Sequence, residues 1–285
     1  MSARTVLRLN RILRPVVHPF NTQNTGGKSY SEWEYERAPK TLGHFAGAFN
    51  EKEILENKHV LDIGAGACGK SVYYLKHGAK SVTAVDIVSD YKAEAEKFAA
   101  HHGVDDRFSF TISDAADMPF EDNRFDSVIM NDAMEHVALP SRVLDEAFRV
   151  LKPGGRIYIN FPPYNHPYGA HLTDTIAIPW VHLFFDDKVL IDAYKLSVSG
   201  LADAEKRINF RISRDKKGNE YFSYINKMSA KRFRDICQKS ALVPLYYKEE
   251  PLRPYLLPLA KLAFTKEVFI GCVICILEKK QEAGA

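Results

Sequence analysis

Short apolar runs alternate with stretches of helical periodicity through the middle of this 285-residue chain. Residues 60–63 read as a brief apolar run, and 81–86, 108–112, 125–130 and 156–161 as further short strands. Strands buried on both faces have that appearance. Between them, 70–75 and 141–150 repeat apolar positions every three or four residues, as a helix covering a sheet does. The alternation predicts a parallel sheet with helices on both faces. Further along, Ser229 is placed to cap a helix over 230–240. Residues 241–247 predict a sixth strand, weakened by Pro244, and 269–277 a last strand.

The strand ends hold the informative chemistry. The first strand stops at Gly64, and Gly66 and Gly69 follow before the helical stretch. A strand, a glycine turn and a helix start let a ligand approach the backbone and meet unpaired N–H groups. The spacing Gly64-x-Gly66-x-x-Gly69 also fits dinucleotide sites. The acids around it separate the two readings. Asp62 lies two residues before the first glycine, Asp86 closes the second strand, and Asp114 follows the third. Carboxylates are poor neighbours for a pyrophosphate and good ones for a cationic ligand. A nicotinamide-dependent dehydrogenase therefore stays as the lesser alternative.

The runs Leu61-Asp62-Ile63-Gly64-Ala65-Gly66, Asp86, Asp114-Ala115-Ala116-Asp117-Met118-Pro119-Phe120, Arg124-Phe125-Asp126-Ser127-Val128, Met134-Glu135-His136-Val137 and Arg149-Val150-Leu151-Lys152-Pro153-Gly154-Gly155 occur in this order. On them the chain resembles the class I S-adenosylmethionine-dependent methyltransferases, in their small-molecule branch. The resemblance covers roughly 55–162. It implies a doubly wound, Rossmann-like α/β sheet of seven strands, the last antiparallel between the fifth and sixth. It implies S-adenosylmethionine as cofactor, with Gly64, Ala65, Gly66 and Gly69 beneath the methionine portion and Asp62 helping to hold the ammonium. Asp86 and Ile87 fall at the ribose, Asp114 and Ala115 at the adenine. Asn131 and Asp132 fall where methyl donor and acceptor meet. Methyl transfer needs chiefly alignment, and a base where the acceptor must lose a proton. His136, His166 and His171 are the candidates for that base. His166 and His171 with Asp174 also form a conceivable ligand set, but the reading expects no metal. Asn160-Phe161-Pro162-Pro163-Tyr164 resembles the signature of adenine-methylating enzymes. It follows the wrong strand and begins differently, so that role is set aside.

The remaining segments depart from the minimal pattern. Four units are expected: an N-terminal cap (1–50), the cofactor-binding core (51–162), an inserted lid over the acceptor (163–228) and the C-terminal completion of the sheet (229–285). The lid is rich in aromatic and histidine residues, with a hairpin turn at 216–219. Arg4, Arg8 and Arg11 lie at helical spacing among apolar residues in 1–14, which suits a membrane surface, a partner or plain packing on the domain. Pro15 and Pro19 stop that helix, and 21–29 reads as a loop. Ser31 is expected to cap a helix that Pro39 interrupts, and Tyr30, Trp33 and Tyr35 are placed to close the pocket. Residues 251–266 are apolar and proline-broken, a second candidate for membrane or dimer contact.

Composition narrows this little. Net charge is +3, from 39 basic and 36 acidic residues, which gives no pull toward nucleic acid. The four cysteines lack zinc-site spacing and suit a reducing, cytoplasmic setting. There is no apolar run long enough to span a bilayer and no secretion signal. The sequence thus predicts methyl transfer to O, N or C of a small, partly apolar or lipid-like acceptor. A cofactor-binding partner protein without catalysis is the alternative from another class.

Overall fold

The computed structural model describes residues 2–13, 27–240 and 243–280. The apolar runs form strands β1 (His59–Ile63), β2 (Ser81–Asp86), β3 (Phe108–Ile112), β4 (Phe125–Asn131) and β5 (Leu151–Phe161), all parallel. A separate hairpin pairs β6 (Ile212–Arg214) with β7 (Glu220–Phe222). Strands β8 (Pro244–Pro251) and β9 (Ile270–Glu278) then complete one seven-stranded sheet in the order β3-β2-β1-β4-β5-β9-β8. Strand β9 runs antiparallel between β5 and β8, as expected.

The period of two along each strand divides the core. Val60, Ile129, Tyr158 and Ile274 face one side; Leu61, Val128, Ile157 and Val273 face the other. In chain order the main helices are α1 (Ala3–Asn10), α2 (Tyr30–Gly43), α3 (Gly69–Lys76), α4 (Tyr91–His101), α5 (Pro140–Val150), α6 (Asp187–Val198), α7 (Ala204–Arg211) and α8 (Ala230–Lys239). Helices α2 and α3 cover the first side through Ala38, Leu42, Val72 and Tyr74. Helices α5 and α8 cover the second through Val143, Leu144, Ala147 and Phe233.

Residues 163–228 build their own apolar cluster, around Leu172, Leu190, Ile191 and Tyr194. The two ends of the segment meet, where the Tyr164 N–H donates to the Met228 carbonyl at 2.6 Å. Helix α1 belongs to this cluster: Val6 is fully buried in it, and the Asn10 amide brackets Thr175 and Ala177. Packing on the domain therefore accounts for the apolar side of α1, although Leu9 and Ile12 remain exposed.

Several local expectations change. Ser29, not Ser31, caps α2; its hydroxyl accepts from the Glu32 N–H while the Glu32 carboxylate accepts from the Ser29 N–H. Ser31 is instead buried within the helix and donates to the Ala67 carbonyl. Pro39 does not end α2, because its exposed position loses only one backbone bond while Ala38 and Leu42 hold the helix on the sheet. The expected 216–219 turn joins two strands of only three residues each, since Phe210 and Arg211 belong to α7. Phe125 pairs with Leu151 but Ser127 with Arg156, so Pro153-Gly154-Gly155 bulges out of the β4–β5 ladder. Pro244 starts β8 rather than interrupting it, and Phe269 closes a short helix. Residues 241–242, the expected stop at Pro15 and Pro19, and most of the expected 21–29 loop lie outside the described residues. No helix among the described residues is long and apolar enough to cross a membrane.

Candidate functional site

A cavity of about 820 Å³ opens at the carboxyl ends of β1, β2 and β4, with wall residues from the turn after β3. Ligands bind at this end of open α/β sheets. Its floor is the turn after β1. Gly64 and Gly66 have φ of +71° and +56°, values that a residue with a Cβ adopts at a cost. The loop is held from β2: the Gly64 N–H donates to the Val85 carbonyl at 2.9 Å, and the Gly66 N–H to Asp86 Oδ2 at 2.9 Å. Asp86 Oδ1 accepts from the Val88 N–H at 2.9 Å. Burial raises the Asp86 carboxyl above the usual carboxylate range, against these amide bonds.

The expected residues divide into two groups. Gly64, Gly66, Asp86, Ile87, Asp114, Ala115, Asn131 and Asp132 all line the cavity, as do His136, His166 and His171. Asp114 Oδ1 accepts from the Ala116 N–H, which sets its turn. Asp132 holds φ +50° and donates its N–H to the Asn160 carbonyl. Asp62, Ala65 and Gly69 do not line the wall. Asp62 is buried under the turn, where it accepts from the Ser71 hydroxyl at 2.6 Å, and burial pushes its carboxyl up to about 6. Gly69 serves close packing: a Cβ there would sit 1.9 Å from the Ser31 carbonyl oxygen on α2. Tyr30 and Trp33 line the cavity, whereas Tyr35 packs on Tyr73, Phe98 and His102.

Other wall residues escaped the sequence reading. Glu34 on α2 is 2% exposed, and its Oε2 accepts from the Gly69 N–H at 3.2 Å. Burial lifts this carboxyl to about 8, outweighing the pull of Lys70, which also lines the cavity. Glu34 carries no local motif; only the docking of α2 onto Gly69 puts it there. Glu135 lies inside the quoted Met-Glu-His-Val run, where His136 alone drew attention. It is 3% exposed, and neither carboxylate oxygen has a hydrogen-bond partner.

The inserted segment forms the opposite wall. The Asn226 N–H donates to the Glu135 carbonyl, and its amide to those of Met134 and Val137. This stitches the returning chain to the turn after β4. The His136 Nδ1 lies 2.7 Å from the Tyr224 carbonyl oxygen. That acceptor fixes the tautomer: Nδ1 carries the proton and Nε2 keeps a lone pair. The side chain is 37% exposed and lines the cavity, and burial lowers the imidazole below its usual value. His166 is pushed to about 4 by burial, and its Nδ1 accepts from the Tyr168 N–H. Asp174 is tied to Arg207 at 3.1 Å and to Arg211 at 3.3 Å, which removes it from a ligand set with His166 and His171.

Residues 61–159 match a family described as the methyltransferase domain. Over 116 residues the chain is 36% identical to tocopherol O-methyltransferase of Arabidopsis thaliana, covering 40% of this chain and 33% of that protein. It is 37% identical over 102 residues to demethylmenaquinone methyltransferase of Clavibacter sepedonicus, covering 36% and 40%. The alignments thus span about a third to two fifths of these relatives' length. Among solved structures, a methyltransferase from Methanosarcina mazei superposes with a TM-score of 0.51 at 22% identity, over 79% of this chain and 94% of that one. The cyclase SpnF superposes with a TM-score of 0.55 at 14% identity, over 98% and 94%. Strand order and glycine turn agree with the methyltransferase-domain match, which covers residues 61–159, about a third of the chain.

Proposed function

We propose that the protein transfers a methyl group from S-adenosylmethionine to O, N or C of a small, partly apolar acceptor. One observation carries the reading. The helix start after the glycine turn, where a pyrophosphate would sit in a dinucleotide site, already has its Gly69 N–H taken by the Glu34 carboxylate. Carboxylates dominate the rest of the wall: Glu34, Asp86, Asp114, Asp132, Glu135 and Asp174 against Lys70 and Arg211. That balance favours a cationic sulfur nucleoside over a diphosphate, and with it methyl transfer over hydride transfer.

Gly64 and Gly66 make room for the methionine portion, Asp86 accepts from the ribose and Asp114 stands at the adenine. Asp62 acts through the turn rather than by direct contact. S-adenosylmethionine supplies an activated methyl. The chain aligns an acceptor between Asn131–Asp132 and the inserted segment, which serves as lid. The Nε2 lone pair of His136 can take an acceptor proton. His166 is less suited, since its Nδ1 already accepts and the neutral ring then carries its proton on Nε2. The relatives named for tocopherol and demethylmenaquinone support a ring-bearing, lipophilic acceptor, and the aromatic lid suits one. Exposed Tyr255, Leu257, Leu262 and Phe264 give 251–266 an apolar outer face for a membrane surface or a second copy.

Calorimetry with S-adenosylhomocysteine tests the cofactor, with binding expected at micromolar ligand and much weaker binding of NADH. A methyl-transfer screen on phenols, quinols and sterols follows. Absence of nucleoside binding at high micromolar ligand overturns the proposal; binding without transfer to any acceptor favours a silent binding protein.

A further inference from the structure

Glu135, His136 and His171 bring one carboxylate and two imidazoles together, each offering a ligand atom within 4.8 Å of the others. From this geometry we infer that they form a binding site for a divalent transition-metal ion, at the seam between the sheet and the inserted segment. Two histidines and one carboxylate, with remaining positions open to a cavity, make a donor set suited to zinc, manganese, iron or cobalt.

Three independent features support it. First, both Glu135 oxygens are buried and lack any hydrogen-bond partner. A buried carboxylate without a partner is costly unless a cation or proton joins it. Second, the bond of His136 Nδ1 to the Tyr224 carbonyl leaves Nε2 as the available donor, 3.8 Å from Glu135 Oε1. A carbonyl that orients a ligating imidazole is the usual outer support of a metal site. Third, the same tyrosine fixes the other histidine: its hydroxyl lies 2.6 Å from the carbonyl oxygens of both Ala170 and His171. His171 is held at φ +51°, a backbone conformation that persists where the surroundings impose it. The two rings meet edge to face, centroids 4.8 Å apart. Ligand atoms around one such ion lie roughly 3 Å apart, given bonds of about 2.0–2.2 Å. The three donor atoms would have to draw in by roughly 1–2 Å to reach that spacing.

The use of the ion, though not its binding, rests on the methyl-transfer reading. An acceptor bearing a phenolic or enolic oxygen would occupy an open position. The bound oxygen loses its proton to water more readily, which relieves His136 of the role of base. Its electron pair then forms the bond to the methyl carbon as the S–CH3 bond breaks. The sulfonium takes that bond's electrons and leaves as a neutral thioether. Because His171 belongs to the insert and Glu135 to the sheet, the ion would also fasten the lid.

The test is a Co2+ titration of tag-free, chelator-treated protein, followed by visible ligand-field absorption, with S-adenosylhomocysteine affinity measured in parallel. A single saturating site at micromolar Co2+ is expected. Glu135→Gln and His171→Gln should each weaken it at least tenfold, and Tyr224→Phe by less, all with native far-UV circular dichroism and a cooperative thermal transition as the sign of an intact fold. No band with the wild-type protein overturns the metal site and leaves a protonated Glu135 as the resolution, while intact nucleoside binding keeps the methyltransferase reading. A band that survives both ligand substitutions also overturns it. Metal binding without nucleoside binding would instead sink the proposed function and spare the site.

Discussion

Replacing Gly69 with alanine tests how the cavity is built. The added Cβ would lie 1.9 Å from the Ser31 oxygen, 2.6 Å from the Tyr35 nitrogen and 2.8 Å from Glu34 Cβ. All three atoms belong to α2, and two are rigid backbone. Ordinary carbon contacts need about 3.5 Å, so α2 must retreat by roughly 1.5 Å. Overpacking on this scale costs about 1–3 kcal/mol, or roughly 2–5 °C in Tm for a chain of this size. The retreat also pulls Glu34 off the Gly69 N–H, now 3.2 Å away, and carries Tyr30 and Trp33 outward. S-adenosylhomocysteine should bind about tenfold more weakly, a loss of about 1.4 kcal/mol. Thermal unfolding with and without the nucleoside reads both effects. Gly43→Ala is the control: nothing lies within 4 Å of its Cβ, and it closes the same helix. If Gly69→Ala keeps wild-type Tm and affinity, α2 does not seat on α3 as described.

Three further outcomes follow from the same geometry. Glu34, near Lys70, Asp62, Asp86 and Tyr30, has its carboxyl lifted to about 8 in the free protein. A cationic ligand favours the ionised form, so binding releases a proton and affinity rises with pH up to about 8, by at most tenfold per pH unit. The ligand's own amino group titrates nearby, so calorimetry should compare wild type with Glu34→Gln; a constant ratio from pH 6 to 8 would refute the assignment. Asp86→Ala removes the acceptor for the Gly66 and Val88 amides together with the proposed ribose contact. It should weaken S-adenosylhomocysteine at least tenfold, about 1.5–3 kcal/mol for bonds to a charged group, and equal affinity by calorimetry would count against it. Asp174→Ala takes a carboxylate from buried Arg207 and Arg211, leaving Arg207 with Asp203 at 2.9 Å, and removes the acceptor of the Tyr194 hydroxyl. Urea unfolding should show about 3–5 kcal/mol lost, and a loss under 1 kcal/mol would mean the network is not closed in solution.

The amino-acid order alone determined the sheet, because burial on both faces writes itself locally as short apolar runs spaced by helical periods. It also located the glycine turn, Asp86, Asp114 and the pair Asn131–Asp132, since a parallel sheet delivers every strand end to one edge. It could not tell a glycine that lines the cavity from one that packs against a helix. Gly69 was placed with the first kind, and only the packing of α2 showed the second. Ser29 and Ser31 are equally good caps by composition; burial of Ser31 against Ala67 decided between them. Glu34, Lys70 and the partnerless Glu135 stayed hidden because their roles depend on segments far apart in the chain, and no periodicity records such an encounter. The tertiary structure decided where α2 lies and where the insert returns, and those two docking events create the walls of the site.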